Sequence, residues 1–161
     1  MRTHWLGSLV GLGVVLLPAL STADDAAKPL TMDLKSFSFK VPEGQASLFG
    51  YNADDEKLFF YTNGKAEATL KVPDDGDYDI VVRASGDIAL KEGAKFKLAV
   101  DGKQAGKETE TTDDAKPYKF SAPLKAGEHK LSIEFTNDVY KENEYDRNLY
   151  VHGVSLTKKA K

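Results

Sequence analysis

The residues of this chain best equipped for chemistry crowd into one stretch. Between the apolar ends of FTNDVYKENEYDRNLYV (135–151), Asn137, Asp138, Glu142, Asn143, Glu144, Asp146 and Asn148 fall within twelve consecutive positions, with Tyr140 and Tyr145 among them. Four carboxylates this close repel one another unless water or a cation takes up their charge. Carboxylates, amide oxygens and backbone carbonyls are the donors that calcium gathers, roughly six to eight at a time. The loop is not an EF-hand: counted from Asp138, Asn143 stands where that motif requires glycine, and no helical pattern flanks it. On composition alone, calcium binding and a solvated acidic loop are equal readings.

Other chemistries find less material. The chain has no cysteine and no G-x-S-x-G turn, and of its three histidines only His129 and His152 lie beyond the first few residues. His129, at the start of a strand pattern, reads as a plain surface residue, and His152 as a strand side chain packed near a sheet edge. The Asp pairs beginning at Asp54, Asp74 and Asp113 flank turn signals, where solvation and turn chemistry account for them. A glycosidase instead needs two acids held across a cleft, one with its pKa raised. A net charge of -3 with no long basic stripe argues against nucleic acid as a partner. The single tryptophan is Trp5, so any aromatic platform elsewhere must be built from Tyr or Phe.

The elements that must position the acidic stretch are legible on either side of it. Residues 1–23 read as a signal peptide: Arg2, the apolar LGSLVGLGVVLL, then PALSTA, with cleavage expected after Ala23. The apolar run is too short to span a bilayer, so the mature chain is expected to have no membrane span and to be secreted or periplasmic. Residues 24–35 read as a polar tail. From there period-two alternation dominates, placing Phe37, Phe39 and Val41 on one face, then Ala66, Ala68, Leu70 and Val72, then Tyr78, Ile80, Val82 and Ala84. Phe96, Leu98 and Val100 follow, and Leu131, Ile133 and Phe135 complete the set, with PEG, TNG, PDDG, DGK and KAGEH as turns between. Only SGDIALKEGA is expected to hold a turn or two of helix. The pattern predicts an all-β fold, an antiparallel two-sheet β-sandwich over residues 36–157, ending in a basic tail at 158–161.

The order of residues in the acidic stretch adds a resemblance. FTND followed by DRNLYV (146–151) resembles the hallmark of the calcium-dependent, xylan-binding carbohydrate-binding modules of the related families 36 and 60. VPDDGDYDIVVRASG, LAVDGK and LKAGEHKLSIEF are similar to further segments of these modules, so the resemblance covers roughly residues 36–157. It implies a β-sandwich of jelly-roll type in which a protein-bound calcium grips vicinal sugar hydroxyls. It also implies Asp138 and Asp146 as carboxylate ligands, with a backbone carbonyl of the intervening loop completing the site; that loop, VYKENEY, has its own composition, which makes Glu142 and Glu144 candidates to compensate as ligands. Asn137 and Asn148 are then loop-fixing or ligand-facing amides, Tyr140 and Tyr145 the nearest ring contacts, and Arg147 a partner for an acid or for loop backbone. The relatives often continue the motif with an acid and then an aromatic, where this chain has His152 and Gly153.

The implied function is non-catalytic, calcium-dependent binding of a xylan-like or other polysaccharide. The alternative is a calcium-stabilised sandwich serving as a structural or protein-interaction module; an enzyme stands third. Such modules usually accompany a catalytic domain, for which this length leaves no room. The protein is therefore expected to act alone, to serve a separate glycoside hydrolase, or to anchor something to glycan.

Overall fold

The computed structural model describes residues 28–160, so the signal-peptide reading lies outside the described residues. Along the chain run β1 (Leu30–Thr31), β2 (Ser38–Lys40), β3 (Phe49–Asn52), β4 (Lys57–Phe60), β5 (Gly64–Val72), β6 (Gly76–Gly86) and β7 (Lys95–Val100). They are followed by β8 (Lys103–Gln104), β9 (Thr109–Glu110), β10 (Lys116–Leu124), β11 (Gly127–Phe135), β12 (Tyr140–Lys141), β13 (Tyr145–Asp146) and β14 (Leu149–Lys158).

Two antiparallel sheets result. One has the order β10-β6-β14-β4-β3, with β1 also paired to β14; the other has the order β2-β5-β11-β7-β8, with β9 also paired to β7. The strand β14 is flanked by β6 along one edge, while β4 covers Leu149–Val151 and β1 covers Leu156 and Ser155. Pro117 and Pro123 sit in β10, an edge strand, where a missing amide donor breaks no ladder.

The alternating apolar sets meet in one core. Ala66, Leu70, Val72, Tyr78, Ile80, Val82, Phe96, Leu98, Leu131, Ile133 and Phe135 are all buried, together with Leu58, Phe60, Leu149, Val151, Val154 and Leu156. Burying each large side chain contributes roughly 1.5–3 kcal/mol, which is why period two selects the inner face so firmly. The set at the start of the domain departs from expectation: Phe37 is buried, Phe39 half-buried and Val41 exposed, because β2 stops at Lys40.

Three further corrections follow from packing. Of the segment read as a polar tail, the described residues 28–35 fold: β1 pairs with β14, Asp33 Oδ1 accepts from the Lys35 amide to cap a single 3-10 turn at Leu34–Ser36, and Leu34 enters the core. At the other end, Lys158 still belongs to β14, and the Lys159 amide donates to the Asp77 carbonyl. The segment expected to hold a helical turn is instead a tight reversal, closed by paired Ala89 and Glu92 backbone bonds at 3.0 Å, with Leu90 and Lys91 at positive φ. Its ends are clamped. A Cβ at Gly86 would lie 2.5 Å from the Ala94 side chain, and one at Gly93 would lie 2.0 Å from the Thr111 carbonyl.

His129 is also more than a surface residue. Its Nδ1 lies 2.7 Å from Asp101 Oδ2 and its Nε2 lies 2.7 Å from the Lys125 carbonyl oxygen, tying the turn after β7 to the β10–β11 turn. Both partners are acceptors, so both ring nitrogens donate only as imidazolium. The Lys125 carbonyl and then Asp101 hold the His129 pKa above its ordinary value, while the bonds from His129 and the Lys130 amide hold Asp101 low. A histidine raised on folding contributes stability that is fully present below about 6.5 and lost as pH rises through the folded value. Asp101, lowered on folding, contributes above about 3.9 and loses that contribution as pH falls through its folded value. Melting temperature is therefore expected to decline through the neutral range in the wild type and to be flat there in His129→Gln. Parallel profiles for the two proteins would refute the clip.

Candidate functional site

Four segments converge at one end of the sandwich: the chain leaving β11 at Thr136, the start of β14, the turn after β4 and the turn after β6. Between the first two, β12 and β13 form a hairpin with Tyr140 opposite Asp146. The side chain of Asn137 fastens this excursion at its base. Its Oδ1 accepts from the Lys95 amide at 2.6 Å and its Nδ2 donates to the Gly93 carbonyl at 3.0 Å.

Asp138, the next residue, turns to the segment after β4. Its amide donates to Asn63 Oδ1 at 2.8 Å, and its Oδ2 accepts from the Thr62 hydroxyl at 2.9 Å. Its Oδ1 is buried without a partner. Burial pushes the Asp138 carboxyl up, and the negative charge of Asp146 adds to the shift against the opposing Thr62 bond and Arg147 charge. Asn148 is buried; its Nδ2 donates to Asp146 Oδ2 at 3.0 Å and to Asp87 Oδ2 at 2.8 Å, while its Oδ1 also has no partner. The Tyr150 hydroxyl donates to the same Asp87 oxygen at 3.0 Å. Burial, then Asp87, push this phenol far above its ordinary value, so it stays a donor.

Arg147 is the brace behind the site. Buried, it donates through Nη1 to the Asn137 carbonyl at 2.6 Å, through Nε to the Glu92 carbonyl at 3.2 Å and through Nη2 to the Ala89 carbonyl, with the Glu92 carboxylate 3.7 Å away. One side chain thus holds both the backbone entering Asp138 and the reversal that follows Asp87.

These groups line an open depression of about 630 Å³. Thr62, Asp138, Asp146 and Asn148 supply its polar side; Tyr61, Tyr140 and Tyr150 supply its rings. Tyr140 is 66% exposed and Tyr61 42%, and the Tyr61 and Tyr150 rings meet edge to face at 6.5 Å and 79°. Another depression, of about 600 Å³ between β1 and β5, has Asp33 as its one carboxylate, and that group caps its own turn.

The oxygen-donor chemistry fits a hard cation. A buried oxygen without a partner is costly, and two of them, Asp138 Oδ1 and Asn148 Oδ1, belong to residues that line one depression beside Asp146. Among the described residues, no three Asp, Glu, His or Cys side chains gather closely enough to hold a metal by themselves. Backbone carbonyls and a bound ligand or water would have to complete the shell, as calcium permits.

The structure sorts the sequence candidates. It brings together Asp138, Asp146, Asn148 and Tyr140. Glu142 and Glu144 stand exposed on the hairpin turn, where Glu144 pairs with Lys141, and neither lines the depression. Tyr145 is half-buried opposite Lys141 and does not line it either, and the amide of Asn137 is spent on the fold. Sequence reasoning missed Tyr61, Thr62, Asp87 and Tyr150. Tyr150 had a signal, since it lies two residues beyond Asn148 in the same DRNLYV run. Thr62 opens the TNG turn signal, and Tyr61 just before it has no sequence feature that links it to the acidic loop.

A family model described as a Ca-dependent, xylan-binding carbohydrate-binding module, family 60, matches residues 79–161, a stretch that holds Asp87, Asp138, Asp146, Asn148 and Tyr150. No curated protein matches. Among solved structures, the chain is similar to "BiXyn10A CBM1 APO" at 15% identity and TM-score 0.59, over 83% of this chain and 99% of that one. It is similar to a family 36 carbohydrate-binding module in complex with calcium and xylotriose at 14% identity and TM-score 0.55, over 80% and 98%. A mannanase from Podospora anserina described as GH26-CBM35 aligns at 16% identity and TM-score 0.54, over 83% of this chain but 28% of that one. At these identities the structures speak to the β-sandwich fold.

Proposed function

The chain belongs to the calcium-dependent, xylan-binding carbohydrate-binding modules of family 60, and from that premise we propose that it binds a xylan-type polysaccharide, without catalysis, through calcium held at the Asp138–Asp146 depression. The observation that carries the reading is the pair of partnerless buried oxygens, Asp138 Oδ1 and Asn148 Oδ1, on a tyrosine-walled depression. Asp138, Asp146 and the Asn148 amide oxygen would hold the ion. Calcium bound there supplies coordination positions at which two vicinal sugar hydroxyls replace water.

The remaining work belongs to the chain's own residues. Asp87 and Asn148 lock each other and orient Asp146, and Asp87 fixes the Tyr150 ring through its hydroxyl. Tyr61, Tyr140 and Tyr150 offer apolar ring surface to the sugar. In this reading the leader exports the protein to the cell exterior or periplasm, where it works alone or beside a separate glycoside hydrolase. Among the described residues, no helix is long and apolar enough to cross a membrane.

Calorimetry with soluble xylan and xylo-oligosaccharides, in calcium and again in chelator, tests the proposal. Binding in calcium and none in chelator is expected, with dissociation constants in the micromolar range or weaker, about -8 kcal/mol or smaller in magnitude, because few atoms are buried. Binding that persists in chelator would overturn the calcium role. Calcium binding without sugar binding would favour a structural module.

The ring geometry carries a further prediction. Tyr61 and Tyr150 stand at 79° to one another, forming walls rather than a flat platform. Adsorption to microcrystalline cellulose is expected to be absent, and Tyr140→Ala is expected to weaken soluble-xylan binding roughly tenfold while leaving calcium affinity intact. Loss of both sugar and calcium binding would mark Tyr140 as a packing residue instead.

A further inference from the structure

The outward face of the β10-β6-β14-β4-β3 sheet continues the depression along a specific line. Ser85 on β6 is directly opposite Tyr150 on β14, and Tyr150 is opposite Phe59 on β4. Phe59 in turn faces Gly50 on β3, where a Cβ would lie 2.7 Å from its ring, so the ring rests on bare backbone. Phe59 also stacks at 4.7 Å on Tyr61, which lines the depression. An aromatic row therefore leads out of the site across the sheet.

The next row is basic. The register of β14 on β6 shifts between Val151 and Gly153, inserting His152 as an extra residue, a device that re-aims a side chain. Its Nε2 lies 2.9 Å from the Ser85 hydroxyl, and burial, then the positive charges of Arg83 and Lys57, hold its pKa below the ordinary value against the opposing charge of Asp55. Lys57 Nζ lies 4.7 Å from the Tyr150 ring centroid and 3.1 Å from Asp55. Arg83 is exposed and makes no ion pair among the described residues. Two cations on strands β6 and β4 flank β14 across two strand spacings, about 10 Å. In a chain of net charge -3, this placement of an unpaired guanidinium is not explained by folding.

We propose that Arg83 and Lys57, set around His152 beyond the aromatic row, form a subsite for a carboxylate carried on the sugar chain, so that the protein prefers xylan bearing uronic-acid substituents to the neutral polymer. The proposal rests on the sugar-binding reading above and names the polymer class within it. A guanidinium offers a carboxylate two parallel donors, and the ammonium of Lys57 adds a third from the other side. Tyr150 belongs to both parts: its ring faces the depression and also lies under Lys57.

The test compares, by calorimetry in calcium, a neutral xylo-oligosaccharide with the same backbone carrying one glucuronic acid group. The wild type is expected to favour the acidic sugar roughly tenfold at low salt, with the preference shrinking as salt rises. Arg83→Gln should remove most of the preference for the acidic sugar, leave neutral binding unchanged and, being an exposed substitution, leave the fold intact; Arg83→Glu should reverse the preference. Equal affinities in the wild type, or a preference that survives Arg83→Glu, would overturn this subsite and leave the calcium reading standing. Failure of the wild type to bind either sugar in calcium would overturn both.

Discussion

Asp138→Asn is expected to abolish the calcium-dependent rise in melting temperature while leaving the metal-free domain at least as stable as the wild type. The two halves of this result come from one carboxylate. Calcium that binds only the native state stabilises it by RT ln(1 + [L]/Kd), about 2.7 kcal/mol at a hundred times Kd, which for a domain of this size raises the melting temperature by roughly 10 °C. Asparagine keeps the shape of the side chain but removes the charge that the ion needs. Without metal the same charge is a burden, because burial and Asp146 push the Asp138 carboxyl above its ordinary value. A carboxyl raised on folding contributes stability that is present below about 3.9 and lost as pH rises through the folded value. The metal-free wild type should therefore lose stability over that interval relative to Asp138→Asn, and calcium affinity should rise over the same interval. A calcium shift that persists in the mutant would remove Asp138 from the ligand set. Coincident metal-free pH profiles would remove the electrostatic argument.

Arg147→Ala is expected to lower stability by about 3–5 kcal/mol, the cost of breaking a buried, hydrogen-bonded charge. Arg147 is 4% exposed, and its guanidinium serves three carbonyls, those of Asn137, Ala89 and Glu92. Truncation strands all three away from water. Arg147→Lys should recover only a minor part of the loss, since one ammonium on a flexible stem cannot replace a planar fork directed at three acceptors. Because the Asn137 carbonyl immediately precedes Asp138, and the Ala89–Glu92 reversal follows Asp87, the Lys variant should also weaken calcium binding under conditions where it is fully folded. Chemical denaturation measures the first effect and calcium titration of the folded Lys variant the second. A loss below about 1 kcal/mol in the Ala variant would show that water replaces the guanidinium at no great cost.

Much of this molecule is legible before folding. The five alternating sets reach the core nearly as written because a strand sends successive side chains to opposite faces, and burial of one face outweighs local preference. The failures have local causes. Val41 lies past the end of β2 and loses its sheet neighbour, whereas the polar-looking residues 30–35 gain a partner in β14 that no local pattern announces. SGDIALKEGA is held out of a helix by glycines packed against Ala94 and Thr111 and by an arginine more than fifty residues away.

The same division runs through the candidate site. Asp138, Asp146 and Asn148 could be named from the sequence because the oxygen chemistry sits within one loop, and its resemblance to family 36 and 60 modules orders those residues. Which of the loop's oxygens matter was decided only by the tertiary structure. Glu142 and Glu144 have the same chemistry as Asp138, but a two-strand hairpin carries them to its exposed turn. Asp87, Tyr61 and Thr62 have no sequence link to the loop and reach it because β6 and β4 lie in the sheet of β14 and end beside its start. Sequence by itself determined the period, the sandwich and the kind of donor atom, since these depend on residue type and near neighbours. The three-dimensional fold decided which donors face one another and which cation stands unpaired on the sheet, since distances between remote strands are set by pairing register rather than by any local run of residues.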